Sequence, residues 1–194
     1  ERKEVFATTG TRIRVRVFAG TEFEEDDLVR SDFAGYGYAN GVPMGGELSG
    51  MNRDQSPSFL VRALRDPDGA NLDRLQVIKG WMDSDGETHE RIYDVACSDG
   101  REIVDGRCER SVGNTVDINN ATYTNAIGDA VLHAYWRDAD FDRSQRAFYY
   151  IRVLEIPTPN WTTYDAKFFG INRPDGVEPV QQERAYTSPI WYTP

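Results

Sequence analysis

The chain has 194 residues, enough for one sizeable domain or a domain with an appendage. With 39% hydrophobic and 12% aromatic residues a packed core is attainable, and general disorder is excluded. A net charge of −10, spread along the chain, removes the basic footprint on which nucleic-acid affinity rests, and no apolar run approaches the roughly 20 residues of a membrane-spanning helix.

The chain opens on Glu1-Arg2-Lys3-Glu4, which reads as the charged end of a helix whose body lies upstream. A start in mid-protein is therefore expected, with no signal peptide in view. Val5 to Thr9 and Thr11 to Ala19 follow as two extended runs split by Gly10. In the second, Ile13, Val15 and Val17 face one way and Arg12, Arg14 and Arg16 the other, the period of a strand. The arginine stripe reads as a solvated face or an inter-domain salt-bridge partner, with an anion as the sharper alternative. Residues 1–20 are expected to be the last strands of a truncated upstream domain.

The pattern then stops. Thr21 to Asp32 is acidic, and Gly35 to Gly46 carries five glycines and a proline, so residues 21–54 read as a connector. Strand candidates follow: Ser58 to Arg65, Leu72 to Met82, Thr88 to Ala96, a short pair within Val112 to Tyr123, Ala130 to Arg137, and Arg146 to Ile156. Turns such as Asp66-Pro67-Asp68-Gly69 and Asp83-Ser84-Asp85-Gly86 punctuate them. This spacing, with no helical period, predicts an all-β fold: an antiparallel β-sandwich over residues 55–157, with the immunoglobulin-like arrangement as a candidate form. Residues 158–194, rich in proline and aromatics, read as an extended, irregular C-terminal tail that must pack against the sandwich or a neighbouring domain.

Several segments carry a resemblance: Glu4 to Gly20 (EVFATTGTRIRVRVFAG), Gly41 to Leu48 (GVPMGGEL), Asp66 to Trp81 (DPDGANLDRLQVIKGW), Val112 to Asp117, Leu154 to Ala166 (LEIPTPNWTTYDA) and Gln182 to Pro194 (QERAYTSPIWYTP). Together they resemble the C-terminal half of the bacterial family known as domain of unknown function 3604, related to the polymerase-and-histidinol-phosphatase (PHP) type of metal-dependent hydrolases. The resemblance implies a parent whose His and Asp ligands, for a divalent transition metal, lie upstream in a metallo-hydrolase domain that would be this chain's partner.

The residues themselves agree with that placement. A multinuclear hydrolase site needs several His and carboxylate ligands in convergence, and the chain has two histidines, His89 and His133, on different predicted strands. No G-x-S-x-G elbow is present; Ser111, His133 and Asp138 are types any chain of this length contains. Gly41 to Gly46 lacks the strand–loop–helix context of a phosphate cradle and reads as a turn.

Asp138, Asp140 and Asp142 resemble the start of a calcium loop, but Arg143 and Tyr149 stand where such a loop needs Gly and Glu. A looser calcium site is one reading and an acidic hairpin tip the other. Cys97 and Cys108 do not have zinc spacing. A disulfide between them is expected, with free, partly buried thiols as the alternative, and it would imply an oxidising compartment, periplasmic or secreted. In the tail, Trp161, Tyr164, Asp165, Arg184, Tyr186 and Trp191 combine aromatic faces with charge and are the candidates for lining a substrate mouth. The function expected is a non-catalytic C-terminal β-sandwich region supporting the hydrolase domain, with no cofactor of its own apart from the calcium reading. The alternative is a carbohydrate- or ligand-binding β-sandwich module.

Overall fold

A computed structural model describes residues 2–194. Residues 2–5 are not helical, and the rest of the expected helix end, Glu1, lies outside the described residues. In chain order the elements are β1 (Phe6–Thr8), β2 (Arg14–Gly20), a 3-10 turn (Glu25–Val29), α1 (Phe33–Asn40), β3 (Val42–Pro43), β4 (Glu47–Leu48), β5 (Ser58–Leu64), β6 (Leu72–Met82) and β7 (Thr88–Cys97). There follow β8 (Ile103–Val104), β9 (Arg107–Cys108), β10 (Val131–Arg137), β11 (Arg146–Glu155), β12 (Thr158–Pro159), α2 (Trp161–Phe169), β13 (Val180–Gln181), β14 (Arg184–Thr187) and β15 (Ile190–Tyr192). The mainly antiparallel, all-β character expected from the alternating runs is what the chain adopts.

Two sheets make the body. In the larger, β11 is central: β6 pairs along its whole length, and β7 pairs outside β6. The other side of β11 is shared end to end, Arg152–Leu154 with β14 and Ala147–Tyr149 with β15. β1 completes the β14 edge and β4 adds in parallel to β15. The smaller sheet has the order β10-β5-β2-β3, all antiparallel.

The two inner faces meet in one core. Val15, Val17, Phe59, Val61, Ala63, Leu132 and Ala134 come from the smaller sheet, and Leu75, Val77, Tyr149, Ile151, Val153 and Ala185 from the larger. These are alternate positions along their strands, so the period-2 pattern is the direct cause of the layering. Phe59 of one sheet packs at 4.9 Å between ring centroids on Tyr149 of the other.

This pairing revises the division of the chain expected from composition. β2 is not a remnant of another unit: it lies between β5 and β3, and Val15 and Val17 are core residues. The connector is a third layer. Phe23, just before the 3-10 turn, Leu28 within it and Phe33 of α1 lie over Phe18 and Leu60 on the outer face of the smaller sheet. A Cβ at Gly37 of α1 would stand 2.2 Å from the Phe18 ring, so glycine permits that approach. The tail is not irregular either, since β14 and β15 supply the strands beside β11. Period-2 reading finds strands but carries no information about partners, and these partners lie far apart in sequence.

Candidate functional site

The tail holds the residues singled out for a substrate mouth, and its local chemistry explains its shape. Asn160 has extended backbone and its side chain accepts from the Thr162 amide at 3.2 Å, capping α2. Gly170, at φ 65°, closes the helix in the left-handed region, with its amide on the Ala166 carbonyl. Thr162 and Thr163 face the body, and the Thr163 hydroxyl donates to the Pro179 carbonyl at 2.8 Å.

The remaining face is uncovered. Trp161, Tyr164 and Phe168 recur at helical spacing along one side, followed by Phe169 and Ile171. Trp161 is 65% exposed, Phe168 83%, Phe169 64% and Ile171 60%. Two of these rings, Phe168 and Phe169, pack edge to face on each other at 4.9 Å rather than on the body. Single exposed apolar residues are ordinary, whereas a contiguous run of this kind marks a contact surface.

The six tail candidates do not converge on a single cleft. Trp161 and Arg184 border one hollow with Thr9 and Gln182. Tyr164 borders another, beside Glu155, and Asp165 stands on the solvent side of α2. On the outer face of the larger sheet, the Arg184 guanidinium donates to the Tyr186 hydroxyl at 3.3 Å. Trp191 packs on Phe148 at 5.5 Å.

The three aspartates after β10 are likewise divided. Asp138 is buried and holds Lys79 Nζ at 2.6 Å, the Tyr149 hydroxyl at 2.7 Å and the Asp140 amide at 3.1 Å. Asp140 turns to Arg91 at 3.0 Å, and Asp142 caps the amide and hydroxyl of Ser144. Each thus has a partner other than a shared cation. His89 lies on Trp81, with ring centroids 5.2 Å apart, and binds Asp83 at 2.6 Å, while His133 stands on β10 opposite Arg62. Among the described residues there is no group of three or more His, Cys, Asp or Glu side chains placed to hold a metal ion.

Cys97 and Cys108 are joined in a disulfide, Cα to Cα 5.9 Å. Their loop is pinned by a buried ion pair that spacing did not reveal. Arg101 meets Asp73 at 2.6 Å and also donates to the carbonyls of Ser98 and Arg110. A second unforeseen group is Glu155. Burial pushes its carboxyl up to about 7, against the Thr11 hydroxyl that donates at 2.5 Å, and Glu183 and Asp66 push the same way. In sequence it is one more residue of β11; only the return of Thr11 and Glu183 to its side makes it unusual.

The fold and these surfaces define an all-β sandwich domain with an uncovered aromatic helix and dispersed metal-ligand types. The chain belongs to the family described as proteins of unknown function DUF3604, whose model matches residues 1–194. Neither the curated proteins nor the solved structures yield a match.

Proposed function

We propose that this chain is a non-catalytic, C-terminal β-sandwich region of a larger PHP-like metal-dependent hydrolase, and that it supports the catalytic domain by docking through α2. The observation that carries this reading is the solvent-facing run Trp161, Phe168, Phe169 and Ile171, a set of side chains that an isolated domain gains nothing by exposing. The division of Asp138, Asp140 and Asp142 among separate partners, and the commitment of His89 to Asp83, favour chemistry housed in the neighbouring domain. The disulfide supports a periplasmic or secreted setting.

Hydrogen exchange tests the docking. In a longer polypeptide that includes the preceding domain, amides of residues 161–171 are expected to exchange at least tenfold more slowly than in the 194-residue chain. Equal exchange in the two, with the longer protein folded, contradicts it. The transition metal of the parent and any lining of its substrate mouth by Trp161 or Tyr164 belong to this same proposal.

A further inference from the structure

The outer face of the smaller sheet is only half covered. The 3-10 turn and α1 seal the row Phe18, Leu60 and Tyr135 and stop there. The next row across the sheet is Arg16, Arg62 and His133, each directly opposite its neighbour. Beyond it comes Arg14 with Leu64 and Val131. Arg14, Arg16, Arg62, Leu64, Val131 and Phe6 border a trough of about 570 Å³, and His133 stands outside its lining, on β10.

Like charges directly opposite in a sheet are destabilising, and here Arg16 and Arg62 oppose each other, with Arg14 on the same face, in a chain whose net charge is −10. Carboxylates are plentiful elsewhere, yet among the described residues Arg14, Arg16 and His133 make no ion pair and no side-chain hydrogen bond. Arg12, the third arginine of the stripe, differs: it is clamped by Asp66 at 2.9 Å and by Asp68. Glu4 is engaged by the Tyr38 hydroxyl and by Arg2 at 3.5 Å. Arg62 is held in place, its guanidinium 4.0 Å over the Phe33 ring and donating to the Leu28 and Arg30 carbonyls. The row is thus held at its centre, on β5, and open at its two ends.

We infer that this trough is an oxyanion site, taking a tetrahedral phosphate or sulfate group between Arg14, Arg16 and Arg62, the three guanidinium groups that line it. Neighbouring strands set the backbones of Arg16 and Arg62 about 5 Å apart, close enough for two guanidinium groups to reach a single tetrahedral anion. The exposed Phe6, Leu64 and Val131 beside the charges suit an apolar substituent on the anion, so an ester fits better than the free ion. This assignment is independent of the docking proposed for α2.

The test titrates the 194-residue chain at low salt with inorganic phosphate, inorganic sulfate and phenyl phosphate, following amide shifts of β2, β5 and β10. Saturable shifts on these strands that weaken as salt is raised are expected. Tighter binding of phenyl phosphate assigns the site to an ester, and equal binding assigns it to a free oxyanion. Arg16→Gln is expected to weaken binding at least tenfold. It should also raise the melting temperature of the anion-free chain, because it removes a cross-strand repulsion; a purely structural arginine would lower it. No saturable binding of any of the three, or binding that survives Arg16→Gln, overturns the assignment.

Discussion

The buried pair between Lys79 and Asp138 ties the two sheets together, and its removal has a calculable cost. Lys79 on β6 is 5% exposed at the side chain and Asp138, just past β10, is 1% exposed. Beyond its 2.6 Å contact with Asp138, the ammonium also donates to the Asp140 carbonyl at 3.1 Å and lies 5.2 Å from the Trp81 ring. Asp138→Asn keeps the shape but deletes the countercharge, and its single carbonyl oxygen can accept from only one of the Asp140 amide and the Tyr149 hydroxyl, which use separate carboxylate oxygens. Breaking a buried pair from one side costs about 3–5 kcal/mol. The remaining carbonyl and ring contacts place this case near the lower end, about 3 kcal/mol. With a urea slope of about 3 kcal/mol/M for a chain of this size, the unfolding midpoint followed by tryptophan fluorescence should fall by about 1 M. Lys79→Met combined with Asp138→Asn removes the stranded charge and should recover at least half of the loss. A loss below about 1 kcal/mol for Asp138→Asn, or a double variant less stable than the single one, refutes the reasoning.

Glu155 gives a pH dependence with a defined sign. Its folded carboxyl is raised from 4.5 to about 7, chiefly by burial, so the stability it contributes is present below about pH 4.5 and is lost as pH rises through 7. Allowing for partial solvent screening, the loss is about 2–3 kcal/mol. Glu155→Gln, which still accepts from Thr11, should be more stable than the parent at pH 8 and nearly equal to it at pH 4 by chemical denaturation; equal stability at both values contradicts this. Replacing Cys97 and Cys108 by serine is expected to cost about 2–3 kcal/mol, measured as a lowered urea midpoint, through the entropy returned to the unfolded loop. The Arg101 clamp on Asp73 should keep that loop near its native course in the folded variant, so its amides should shift little in the folded-state spectrum.

The strands that form the sandwich were legible because burial on one face writes period 2 into them. Leu72 to Met82 is β6 residue for residue, and Ala130 to Arg137 and Arg146 to Ile156 match β10 and β11 within a residue. The disulfide was legible from spacing and turn residues. The tail was not, because proline and aromatic content signals extended chain without saying which edge it will join. β14 and β15 read as strands only once β11 lies beside them. Two helices were hidden for local reasons. In α1 the glycines at 35 and 37 suggested a loop, yet Gly37 is required by the Phe18 ring. In α2 the usable signal was Asn160 before Thr162 and Gly170 after Phe169, a cap at each end that composition alone obscures. Of the candidate residues, the arginine stripe was visible as alternation, but its opposition to Arg62 and His133 depends on register, which no local pattern contains.

Metal content decides where the chemistry resides. After chelation and reloading with zinc, manganese or iron, the 194-residue chain should retain less than about a tenth of an equivalent through gel filtration, while a longer polypeptide carrying the preceding domain should retain at least about one. A full equivalent held by these residues alone, lost on replacing His89 or His133, would place the metal site here and contradict the proposed division of labour.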